Sequence, residues 1–139
     1  NPERGWGHVL PGFFSEDIRV DNHAMNGRSS KSFIDEGRWD KVLSLIKKGD
    51  YVFIQFGHND EKPKADRHTD PGTTFDANLR KFVNETRAKG GIPVLFNSIV
   101  RRNFGTADKL FFRMIFARES ILMPNKTLLR KRMWWKETN

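Results

Sequence analysis

A chain of 139 residues is long enough for one hydrophobic core but not for two, so a single site is expected. Its 37% hydrophobic and 12% aromatic content suits a globular domain; no apolar run approaches the roughly 20 residues of a membrane span, and the lack of cysteine excludes disulfides, thiolate metal sites and a cysteine nucleophile. The net charge of +8 is uneven: residues 1 to 106 hold 17 Lys and Arg against 14 Asp and Glu, whereas 107 to 139 hold 8 against 3, so the body reads as mixed solvated surface and not as a basic nucleic-acid groove.

The chain opens on Asn1-Pro2-Glu3 with neither a Met nor a signal-peptide pattern, as expected of a segment that begins inside a longer protein. Gly5 to Phe14 is expected to form a short helix whose apolar face is Val9, Leu10, Phe13 and Phe14. Ile18-Arg19-Val20 reads as a short strand feeding the polar loop Asp21 to Gly27. Ser29, Ser30 or Ser32 is placed to cap a helical turn through Phe33 and Ile34. Trp39, Val42, Leu43 and Ile46 then fall at i, i+3, i+4 and i+7, an amphipathic helix closing at Gly49. Tyr51 to Phe56 is almost continuously apolar, as in a central parallel strand covered on both faces. After the polar loop Glu61 to Thr74, the residues Phe75, Leu79, Phe82 and Val83 mark a helix ending at Gly90-Gly91, and Ile92 to Phe96 begins a second buried strand.

Strands and helices alternating at crossover length predict an α/β fold, three layers in the order α/β/α around a parallel sheet. Ligands in such folds sit at the carboxyl ends of the strands, where the loops Asp21 to Ser30, Gly57 to Asp60 and Asn97 to Asn103 should gather. Gly27 lets a backbone amide approach a ligand oxygen closely, and Asn59 offers a side-chain amide. Together they could form an oxyanion hole, in which neutral donors meet the charge that develops on a carbonyl oxygen during acyl transfer. Taken singly, Gly27 also suits a turn, and Asn59-Asp60 an Asx turn in which Asp60 is structural. His58 beside them suits a substrate contact or a scaffold role. Arg28, Arg101 and Arg102 could meet an acidic sugar or simply be solvated. His23 and His68 with Asp66 and Asp70 match no metal-ligand spacing, so neither a metal nor another cofactor is expected.

Two ordered blocks carry a resemblance. Asp21-Asn22-His23-Ala24-Met25-Asn26-Gly27-Arg28-Ser29-Ser30 and Gly57-His58-Asn59-Asp60 are similar to the second and third blocks of the SGNH or GDSL-type hydrolases. With Arg4-Gly5-Trp6-Gly7, they most resemble the rhamnogalacturonan acetylesterase branch. The resemblance spans residues 1 to about 104 and leaves 105–139 as a basic, aromatic tail outside it. It implies the flavodoxin-like fold of that family and a serine esterase that removes O-acetyl groups from a pectic polysaccharide, with the Gly27 amide and the Asn59 side chain as oxyanion donors. It also implies a secreted or periplasmic setting; a monomer without membrane or nucleic-acid partners is expected. The nucleophilic Ser of the family precedes the segment where this chain starts, and no His follows His68, so no nucleophile or base carries over. The expectation is an incomplete gene product, inactive by itself. The rival is a non-catalytic module that binds acidic sugars.

Overall fold

The computed structural model describes residues 5–98. Its elements are α1 (Trp6–Val9), running into a 3-10 turn (Leu10–Phe13), then α2 (Ser30–Asp35), α3 (Arg38–Leu45), β1 (Tyr51–Gln55), α4 (Thr74–Ala88) and β2 (Ile92–Phe96). The two strands pair in parallel with Tyr51 opposite Ile92 and Gln55 opposite Phe96. Their crossover is α4, so the predicted strand-helix-strand unit is present and both strands point their carboxyl ends at the same edge.

Side-chain periodicity sets the packing. Val52 and Ile54 face the helices, where Ile54 joins Phe33 of α2, Trp39 of α3, and Phe75, Leu79 and Phe82 of α4 in one buried cluster. Phe82 is completely buried. The Trp39 ring meets it nearly edge-on at 4.7 Å, and the Phe56 ring stacks on it at 5.3 Å. The indole N–H of Trp39 finds its acceptor in Glu85, 2.6 Å away. Burial alone would raise the Glu85 pKa, but hydrogen bonds from Lys81 and Trp39 outweigh it and hold the carboxyl below its ordinary value of 4.5.

The terminations follow from glycine chemistry. Gly37 adopts a left-handed conformation (φ 68°) that separates α2 from α3. At the end of α4, Gly91 N–H bonds the Thr86 carbonyl and Gly90 N–H the Arg87 carbonyl. This is the paired closure of a Schellman motif with Gly90 at the left-handed position (φ 78°).

Two expectations change. Ile18 to Val20 is not a strand: among the described residues the sheet consists of β1 and β2 alone, and a three-residue β-prone run without a ladder partner has nothing to hold it extended. Arg19 instead pairs locally with Asp21, and Ile18 is exposed. Among the described residues, cover on the second face of the sheet is also thinner than expected. Trp6 contacts Phe53 and Phe96 there, while Tyr51 stays 68% exposed.

Truncating Phe82 to Ala should cost about 3–5 kcal/mol, the usual loss for a buried aromatic that leaves a cavity, read as a lower urea midpoint with unchanged slope. Glu85 adds a pH signature. A folded pKa below the unfolded one means that its stabilisation is complete above about 4.5 and is lost as pH falls through the folded value. The urea midpoint should fall as the pH is taken below 4.5, less steeply in Glu85→Gln.

Candidate active site

Two residues past the end of β1 comes Gly57, whose φ of 138° suits glycine alone. A β-carbon there would collide with Ser98 Oγ, which donates to the Phe56 carbonyl at 2.6 Å. The chain turns at once, with Glu61 N–H on the Gly57 carbonyl at 3.1 Å, and this turn drives Asp60 into the interior.

Asp60 is completely buried, and neutral donors surround it. Its Oδ1 accepts from Ser30 N–H (2.9 Å), Ser30 Oγ (2.5 Å) and Thr69 Oγ1 (2.9 Å), and its Oδ2 from Gly57 N–H (3.1 Å). Asn78 of α4 donates in turn to Ser30 Oγ at 3.0 Å. One carboxylate therefore joins the first residue of α2, the turn after β1 and the long loop before α4. Hydrogen bonds to an ionised acceptor are the stronger kind, and they replace the water that a buried carboxylate gives up.

The loop before α2 is fixed from its other side by capping. Ser29 Oγ accepts from Ser32 N–H, and Ser32 Oγ accepts from Ser29 N–H, a capping box with Ser in the place usually taken by Glu or Gln. Of the three serines proposed as caps, Ser29 is the N-cap, Ser32 completes the box, and Ser30 serves Asp60. All three are buried.

Asn59, singled out with Gly27 for one site, is bonded to the residue that follows Gly27. Asn59 Nδ2 donates to the Arg28 carbonyl at 3.1 Å, one residue from Gly27, which leaves its second N–H for another acceptor. Gly27 holds a left-handed conformation (φ 75°), and among the described residues no acceptor meets its amide. His58 is half-buried beside Asn59 and has an interaction of its own. The third loop is described only at its start, where the Asn97 carbonyl accepts from Gln55 Nε2 at 2.7 Å. Arg101 and Arg102 lie outside the described residues.

Arg28, a candidate sugar contact, is engaged with neighbouring residues. Its Nε lies 3.0 Å from both carboxylate oxygens of Glu36, and its Nη1 donates to the Asn26 carbonyl. Hydrogen bonds from Arg38 and Arg28 hold the exposed Glu36 carboxyl below the ordinary carboxylate range. Thr69, Asn78 and Arg67 were not singled out from sequence. For Asn78 a signal existed, since it falls beside Phe75, Leu79 and Phe82 on the buried side of α4. Thr69 and Arg67 sit in a polar loop whose composition gives no such cue. Among the described residues there is no group of three or more His, Cys, Asp or Glu that could hold a metal ion.

A parallel strand-helix-strand unit with a glycine loop and an Asn-Asp turn at its carboxyl edge defines a class, and comparison with known proteins identifies it. The profile of the GDSL-like lipase/acylhydrolase family matches residues 1–128, and the chain belongs to that family. The chain is 47% identical over 103 residues to the rhamnogalacturonan acetylesterase RhgT of Bacillus subtilis (strain 168), covering 74% of this chain and 43% of RhgT. It is 41% identical over 101 residues to the probable rhamnogalacturonan acetylesterase YesY of the same organism, covering 72% and 46%. The crystal structure of the Bacillus subtilis protein YxiM superimposes with a TM-score of 0.64 at 30% identity, over 74% of this chain and 28% of that one. The chain thus spans less than half the length of the curated relatives it matches.

Replacing Asp60 by Ala leaves the Ser30 and Gly57 amides and the Thr69 hydroxyl without their acceptor, at about 1–3 kcal/mol for each group that stays buried. Urea unfolding should show a loss of at least about 3 kcal/mol, larger than for Asp76→Ala at the start of α4, where Gly72 N–H is the one bond donated to that carboxylate.

Proposed function

We propose that this chain supplies the oxyanion-stabilising part of a serine esterase that removes O-acetyl groups from a pectic polysaccharide of the rhamnogalacturonan type. The observation that carries the reading is the Asn59 to Arg28 hydrogen bond. It sets a side-chain amide with one spare N–H beside a left-handed glycine whose amide has no acceptor among the described residues. In acyl transfer the serine oxygen attacks the acetyl carbon, and the carbonyl oxygen takes up negative charge. Donors already in place lower that barrier, because no dipoles need to reorient as the charge forms. The acetylesterase names of RhgT and YesY supply the substrate class.

The nucleophile and its base come from elsewhere in the protein. Ser29, Ser30 and Ser32 are buried and committed to the cap and to Asp60, so none is open to attack an ester. The tail 105–139 and a secreted or periplasmic setting belong to the same proposal.

Two measurements test this. The chain by itself should hydrolyse 4-nitrophenyl acetate no faster than buffer does, and release above that background contradicts the assignment of the nucleophile elsewhere. In a longer protein that joins this chain to the nucleophilic Ser and the His base of the family, Asn59→Ala should lower kcat by about 10²- to 10³-fold with little change in KM. An unchanged kcat would remove Asn59 from the oxyanion hole.

A further inference from the structure

Arg67 stands beside the proposed site without having been assigned to it. A methyl group placed on Gly27 would lie 3.6 Å from Arg67 Nη1, so the guanidinium occupies the side of Gly27 that a side chain would otherwise fill. The loop carrying Arg67 is fixed on both sides to the elements that make the site. Lys31 Nζ donates to the Ala65 carbonyl at 2.6 Å, and Thr69 bonds Asp60 through both its hydroxyl (2.9 Å) and its amide (3.0 Å). Arg67 N–H closes the intervening turn on the Lys64 carbonyl at 2.9 Å.

The Arg67 charge is only lightly engaged. Its ion pair runs from Nε to the adjacent Asp66 at 3.4 Å, and Asp66 is 67% exposed, a geometry worth little in water. The Arg67 side chain is 27% exposed, which is enough to reach a ligand while its position stays restrained. Arg28, the nearer arginine in sequence, is bound to Glu36 and the Asn26 carbonyl.

We infer that Arg67 binds the carboxylate of a uronic acid in the polysaccharide and so sets the acetylated sugar over Gly27. The inference rests on the proposed acetylesterase reading. A guanidinium offers paired N–H donors that match a carboxylate, and it stays charged at every pH at which the sugar is ionised. A neutral acetylated glycan lacks that group.

Binding tests the inference separately from hydrolysis. The chain is titrated with a trimer of galacturonic acid and with the fully methyl-esterified trimer, by isothermal calorimetry or by the chemical shift of the Gly27 amide. Wild type should prefer the acid about fivefold to tenfold; Arg67→Gln should abolish that preference and Arg67→Lys should retain part of it. Arg80→Gln removes the same charge from an exposed position on α4 and should keep the full preference. Equal or unmeasurable binding of the two trimers by wild type overturns the inference, as does an Arg67→Gln variant that still prefers the acid. Failure of the oxyanion reading shows instead as an unchanged kcat in Asn59→Ala, with the preference for the acid still dependent on Arg67.

Discussion

The Asp60 carboxylate is the interaction on which the site depends. It is completely buried, and its hydrogen bonds come from an amide and hydroxyl of Ser30, the Gly57 amide and the Thr69 hydroxyl. A carboxylate inside a protein is costly unless donors replace its water, and these donors come from three different segments. The same bonds that make Asp60 tolerable therefore hold three loops together. Asn59 is its immediate neighbour, and the direction of the Asn59 amide follows from where Asp60 is fixed. Gly27 lies on the far side of the same contact, through the Arg28 carbonyl.

The aromatic core serves this arrangement from behind. Phe82 packs between Trp39 and Phe56, so α4 and α3 are set against the last residues before Gly57. Asn78 lies one turn before Phe82 on α4 and carries that positioning into the polar network through Ser30. Burial of apolar rings and satisfaction of a buried charge are thus consecutive steps of one helix.

Much of this was legible in the sequence, and the boundary of legibility is physical. The i, i+3, i+4, i+7 spacing of Trp39, Val42, Leu43 and Ile46 marked α3, the β-branched run marked β1, and Gly90-Gly91 marked the Schellman end of α4, because each is a local pattern. The family blocks are what point to Gly27 and Asn59 as candidates. Ile18 to Val20 had strand composition but no neighbour to pair with, and pairing is not a local property. Nor are the bonds from Asp60 to Ser30, from Asn78 to Ser30 and from Asn59 to Arg28, which join residues 30, 48 and 31 apart in the chain. The Arg28–Glu36 contact is hidden for the same reason: Glu36 is eight residues away, at the far end of a helix that sequence alone did not orient.

The central claim is that Asp60 locks the loops of the proposed site to the core, so that the proposed oxyanion donors are in place before any substrate arrives. Native-state hydrogen exchange at the Ser30 and Gly57 amides tests it most directly, since both protons point at this one carboxylate. The account predicts that they exchange only with the global unfolding that also releases the Phe82 amide, with equal opening free energies and equal dependence on urea. Exchange of either amide through a local opening several orders of magnitude faster than that of Phe82 would contradict it.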